Sequence, residues 1–112
     1  MLIIKNRAIV KFLTLNFANA ITLYPFVFLR SEALMSNKTL INHEKIHIRQ
    51  QLELLIIGFY IFYFLEFVIK YFKYRSRVRA YYNLSFEREA YSNEADPEYL
   101  VRRRFWSFVN YF

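Results

Sequence analysis

The 112-residue sequence contains no cysteine, a single glycine, two prolines and two histidines. Without cysteine there is no disulfide and no thiolate to hold a metal, though this says little about compartment. With so little glycine and proline, long flexible linkers are excluded. At this length the chain is expected to form one domain, residues 1–112, with a modest core. Any imidazole chemistry must use His43, His47 or both.

Apolar and aromatic residues are abundant. Hydrophobic residues make up 56% of the chain and aromatics 21%, with 13 Phe and 10 Tyr, well above ordinary globular composition. That surplus points to burial against a membrane or a partner as well as in a core. The net charge is +7 and the isoelectric point about 9.8. Basic residues cluster in "KYRSRVR" (73–79) and "RRR" (102–104), beside aromatic and aliphatic neighbours. This favours anchoring at an anionic membrane face. Nucleic-acid binding through residues 70–79 and 102–104 is the weakest reading. The expected location is the membrane, peripheral or partly embedded. The alternative is a soluble cytoplasmic domain whose aromatic helices make the core or a dimer interface. Oligomeric state is not legible.

The opening "MLIIKNRAIVKFLTLNFANA" imitates a secretory leader, with early positive charges and a small-residue "ANA". Lys11, Thr14 and Asn16 interrupt its apolar stretch, so a helix or strand pair belonging to the domain is expected instead. "ITLYPFVFLR" (21–30) is rich in β-formers around Pro25, which marks an edge strand. Ser36, Asn37 and Thr39 are N-cap candidates for a helix starting near Lys38 to Leu40. "LLIIGFYIFYFLEFVIKYF" (54–72) has twelve uncharged residues between Glu53 and Glu66. A spanning helix needs about 20 apolar residues, so this run suits a buried or interfacial helix, with Gly58 as the expected bend. A helix over roughly 86–95, ended by "ADP" (95–97), and a final amphipathic helix in the tail complete the reading. Tyr99, Leu100, Phe105, Trp106, Phe108, Val109 and Phe112 would share that last helix's apolar side.

The chemistry-bearing stretch is "NHEKIHIRQQ" (42–51). Positions i and i+4 stack on one helix face, so His43 and His47 can reach one metal ion. Glu44 stands beside them, where it can take a proton from water: the H-E-x-x-H arrangement of zinc hydrolases. The bland reading is two ordinary histidines with a salt-bridging Glu44. A zinc site needs a third ligand, and with no further histidine it must be a carboxylate. Glu53 is too close along the same helix, and Glu66 lies about five turns on. The cluster "FEREAYSNE" (86–94), with Glu87, Glu89 and Glu94, is the natural donor. If residues 54–72 formed one straight span, position 72 would lie about 38 Å from His47. The cluster would then have to return across the bilayer with unpaired backbone. The chain must therefore break and fold back.

His43-Glu44-x-x-His47 followed by Glu87-x-x-Ala90 resembles the gluzincin class of zinc metallopeptidases. It looks most like the very small minigluzincins and the membrane peptidases with H-E-x-x-H and then E-x-x-A-D. "HEKIHIRQQ" with "EREAY" is also similar to a metallopeptidase domain carrying H-E-x-x-H-x-x-Q-Q and E-x-E-A-D. The resemblance spans roughly residues 20–95. It implies an α+β, predominantly helical zincin-like domain, with an edge strand or small sheet and the H-E-x-x-H helix packed against later helices. It implies Zn2+ on His43, His47 and Glu87, Glu44 as catalytic base, and a peptide or protein substrate that pairs with the edge strand at 21–30. Tyr91 stands where those families place an aspartate behind a histidine ligand, leaving Glu94 or Asn93 to substitute. Arg79, Tyr81, Tyr82 and Tyr91 are candidates for stabilising an oxyanion. The alternative function is a non-catalytic, basic, membrane-associated protein with a structural or vestigial zinc site.

Overall fold

A computed structural model describes residues 2–13 and 19–112. The protein is a mixed α+β fold: 66% of the described residues are helical, and they include one small sheet. Strand β1 (Leu2–Lys5) leads into helix α1 (Arg7–Leu13), then strands β2 (Ala20–Leu23) and β3 (Phe26–Leu29). β3 is central, parallel to β1 and antiparallel to β2. β1 pairs with β3, and Val10 of α1 is fully buried. Residues 14–18 of the leader-like segment lie outside the described residues.

Segment 21–30 is not one edge strand. Tyr24 and Pro25, joined by a cis peptide, turn the chain between β2 and β3. Proline lacks a ladder donor, and here it sits in the turn, where none is needed. β2 alone carries the edge role on that side, with Val27 and Leu29 of β3 in the core.

A short 3-10 helix (Glu32–Ser36) connects the sheet to helix α2 (Lys38–Glu53). Asn37 caps α2, its side chain accepting from the Leu40 amide at 3.0 Å. Helix α3 (Ile57–Tyr74) follows, bent 109° from α2. Among the described residues no single helix is long and apolar enough to cross a membrane. The bend is not at Gly58. It lies just before it, where Leu55 and Ile56 hold φ of 58° and 67°, left-handed values that cost a side-chain-bearing residue free energy. Gly58 has no positive φ and sits in the first turn of α3.

α3 ends at Arg75, also left-handed, whose amide donates to the Tyr71 carbonyl at 2.7 Å. Helix α4 (Arg77–Tyr82), capped by Ser76, packs back along α3. Helix α5 (Ser85–Asn93) then lies between α2, α4 and the C-terminal segment. The tail is a one-turn helix α6 (Tyr99–Arg102) and a 3-10 helix (Ser107–Tyr111). It is not the continuous amphipathic helix expected, because Trp106 turns the chain at φ 60°. Of that helix's supposed apolar side, Tyr99 and Phe108 are buried while Phe105 and Phe112 are exposed.

Both ends of α5 are held by other helices. Glu66 of α3, the charge inside the apolar run, accepts from the Ser85 amide at 2.9 Å and the Ser85 hydroxyl at 2.7 Å. A carboxylate there meets both the open amides and the positive end of the helix dipole. At the other end, the Asn42 amide of α2 donates to the carbonyls of Glu94 and Asp96, each at 2.9 Å.

The location of the bend is testable by paired substitution. Leu55 is exposed, so Leu55→Gly should relieve left-handed strain at little packing cost and stabilise by about 0.5–1 kcal/mol. A Cβ at Gly58 would meet Leu54 Cβ at 3.7 Å, ordinary contact, so Gly58→Ala should also stabilise, by up to about 1 kcal/mol. Thermal midpoints check both; a lower midpoint for Gly58→Ala would return the hinge to the glycine.

Candidate metal centre

α2 presents an unusual buried face. His43, Glu44, His47, Gln50 and Gln51 are all buried alongside Ile46. Polar groups taken from water need partners, and each of these has at least one. The helical spacing aligns His43 and His47, and α5 brings Glu87 to them. Nε2 of each histidine lies 3.1 Å from Glu87 Oε1, and the two Nε2 atoms lie 3.1 Å from one another. Three potential ligand atoms thus form a near-equilateral triangle. A proton on one nitrogen cannot make straight hydrogen bonds to both other corners, whereas a single cation can satisfy all three. This group could hold a metal ion.

The surroundings orient each donor. His47 Nδ1 is 2.8 Å from Gln50 Oε1. The Gln50 amide donates to the Phe86 carbonyl at 3.1 Å and to Glu89 Oε1 at 2.9 Å, so its oxygen must face His47. His47 therefore donates from Nδ1, which turns Nε2 toward Glu87 and His43. On Glu87, Oε2 accepts from the Tyr63 hydroxyl at 2.9 Å, leaving Oε1 for the histidines. Glu44 Oε2 accepts from the Thr22 hydroxyl of β2 at 2.5 Å. Its charge is close enough to act on both His47 and Tyr63.

Electrostatics follow from this packing. Burial pulls the His47 imidazole down, but the adjoining Glu87 carboxylate, helped by Glu44, more than reverses this and raises it to about 9. For Glu87, burial pushes upward, but His47 and the hydrogen bonds from both histidines hold it far below the usual carboxylate range. Burial, then the Glu87 charge, raise Tyr63 well above normal, so it stays a donor. The pocket favours positive charge.

The other carboxylates sort cleanly. Glu89 points away from the histidines, accepting from Gln50, from Tyr99 at 2.6 Å and from Arg103. Arg103 also donates to Glu53 at 2.6 Å. A buried chain thus runs from Arg103 through Glu89 and Gln50 to His47. Glu94 Oε1 lies 3.8 Å from His43 Nδ1, on the side of the ring away from the triangle. Asn93 does not go there; its amide donates to the Glu89 carbonyl and the Tyr111 hydroxyl.

Of the oxyanion candidates, Tyr91 lies edge-on against His43, ring centroids 4.4 Å apart, with its hydroxyl 3.0 Å from that of Tyr81. Tyr82 packs on Tyr91. Arg79 is exposed, its guanidinium 4.8 Å over the Tyr74 ring, which takes it away from the ligands. The edge of β2 is partly engaged. The Thr22 carbonyl accepts from Gln51 at 2.8 Å and Tyr60 at 3.0 Å, and the Tyr24 amide donates to Gln51 at 2.9 Å. A substrate strand cannot pair with those two groups while these bonds stand. Thr22 and Tyr63 carried no sequence signal as site residues, whereas Gln50 and Gln51 stood in the quoted H-E-x-x-H-x-x-Q-Q pattern.

Comparison with family models, with curated proteins and with solved structures returns no match for this chain.

Two measurements probe this shell. Gln50→Leu keeps the volume but removes the acceptor for His47, so metal affinity by chelator competition should fall about 10–100-fold; unchanged affinity would remove the orienting role. Glu89 is held below the usual carboxylate range, since Arg103, Tyr99 and Gln50 outweigh the burial that would raise it. A depressed group contributes stability above its unfolded pKa, lost as pH falls through the folded one. The wild type should therefore weaken in urea below about pH 4.5. Glu89→Gln should be weaker at neutral pH by about 3 kcal/mol, with a shallower acid dependence, because it leaves buried Arg103 short of a partner.

Proposed function

We propose that this chain is a zinc-dependent peptide hydrolase of the gluzincin kind, with His43, His47 and Glu87 holding the metal and Glu44 as general base. The observation that carries the reading is the triangle of donors. Two atoms each 2.0–2.1 Å from a tetrahedral zinc stand about 3.3 Å apart, so sides of 3.1 Å need only slight opening. Two imidazoles and one carboxylate, without thiolate, are the donor set of catalytic zinc, which keeps a fourth position open.

Zinc bound there would polarise a substrate carbonyl and bring the pKa of a water near neutrality. Glu44 would take the proton of the attacking water and pass it to the leaving amine. The Thr22 hydroxyl holds that carboxylate by a charge-assisted bond. The Tyr81–Tyr91 hydroxyl pair, next to His43, would donate to an oxyanion. A second reading, a non-catalytic zinc site, draws on one observation: the three ligands are at most 6% exposed.

Metal content and peptide cleavage of the same preparations separate these. The wild type should carry one zinc per chain, Glu94→Ala should keep it, and Glu87→Ala should lose it. Full zinc in Glu87→Ala would remove that ligand. Glu44→Gln should keep zinc and lose about 10²–10⁴-fold in hydrolysis. Zinc-loaded wild type that cleaves no peptide would leave the structural reading standing.

A further inference from the structure

Helix α3 buries Phe59 and Glu66 but turns most of its aliphatic residues outward. Its inner face carries polar groups that serve the interior: Tyr60 bonds the Thr22 carbonyl, Tyr63 bonds Glu87, and Glu66 bonds Ser85. Lys70 donates to the Asn83 carbonyl on the same side. Its outer face is apolar along its length. Ile57 is 72% exposed, Phe64 65% and Ile69 66%, with Ile61, Leu65 and Phe72 exposed between and beyond them. These residues recur at helical spacing and form one stripe. At about 1.5 Å per residue the eighteen-residue helix is about 27 Å long, and the stripe runs along most of it; a contiguous exposed apolar face of this kind marks an interaction surface.

Charge selects what covers it. Between Glu66 and Glu87 there are five cations and no carboxylate. Lys73, Arg75 and Arg77 are exposed where α3 ends and α4 begins, while residues 54–65 have no charge at all. An apolar stripe ending in cations matches a bilayer's acyl boundary beside anionic phosphates. A second copy fits less well, because α3 exposes no carboxylate to meet those cations.

We infer that the outer face of α3 seats in an anionic phospholipid bilayer, lying along the surface with Lys73, Arg75 and Arg77 at the phosphates. The inner face of the same helix supports α5 and Glu87, so the metal centre is held at a fixed height above the lipid. This goes beyond the hydrolase reading and does not depend on it.

Flotation of the full chain with vesicles of phosphatidylcholine, with and without phosphatidylglycerol, tests the inference. The wild type should float with the anionic vesicles and about tenfold less with phosphatidylcholine alone. Phe64→Glu combined with Ile69→Glu, both at exposed positions, should keep helical circular dichroism and bound metal yet float at least about tenfold less. Lys73→Glu with Arg77→Glu should abolish the preference for phosphatidylglycerol while leaving the stripe intact. The inference is overturned if the wild type stays unbound, if the stripe variant floats like wild type, or if sedimentation shows a dimer through α3 that persists with vesicles in excess. Metal content measured on each sample is unaffected in every case, so failure here leaves the hydrolase reading to its own test.

Discussion

A carboxylate taken out of water must be met by opposite charge or by donors, and Glu87 is buried where, among the described residues, His43, His47 and Tyr63 meet it. The rest of the chain is arranged so that this meeting occurs. Glu87 stands forty residues beyond His47, and the long α3 intervenes. The turn at Leu55 and Ile56 sends α3 off at a steep angle, the left-handed Arg75 reverses the chain, and α4 brings it back. Glu66 and Asn42 then clamp the two ends of α5, so Glu87 is placed by contacts at both ends of its own helix.

Holding such a centre has made the interior unusually polar. Arg103, Glu89, Glu53, Gln50 and Tyr99 form one buried hydrogen-bonded group behind His47. Buried ion pairs of this kind add little net stability compared with apolar packing, but removing one member is costly. Their geometric effect is more important here: every polar atom that is satisfied in only one arrangement narrows the positions open to the histidine. The C-terminal segment, remote in sequence from the motif, thereby acts on the site through Arg103.

A polar interior in a chain that is 56% hydrophobic displaces apolar side chains outward. α3 shows this directly, with Tyr63, Glu66 and Lys70 turned in and Ile57, Phe64 and Ile69 turned out. The support of the His43–His47–Glu87 group and the apolar exterior are thus two faces of one helix. Among the apolar residues of α3, Phe59 is the buried one, in the cluster with Phe86 and Phe108.

Much of the site was legible because its parts are local or chemically rare. Two histidines four apart on a helix capped by Asn37 needed only the helical period. The carboxylate cluster at 86–94 was the place left for a third ligand by distance. The predominantly helical α+β class was what the H-E-x-x-H and E-x-x-A resemblance implied, and the described elements have it. What could not be read depended on which side chains meet across the fold. Gly58 attracted the bend by residue type, yet the hydrogen bond from the Ile56 amide to the Gln51 carbonyl fixes it two residues earlier. Glu87, Glu89 and Glu94 have similar credentials in sequence; packing of α5 sends one to the histidines, one to Arg103 and one behind His43. Tyr63 and Thr22 are single choices among many tyrosines and threonines, distinguishable only once α3 and β2 face α2. The sequence by itself determined the helix that carries the two imidazoles and the demand for a carboxylate. Tertiary structure alone decided which carboxylate, because a helix's period is a local property, and meeting between helices is set by how the whole chain packs.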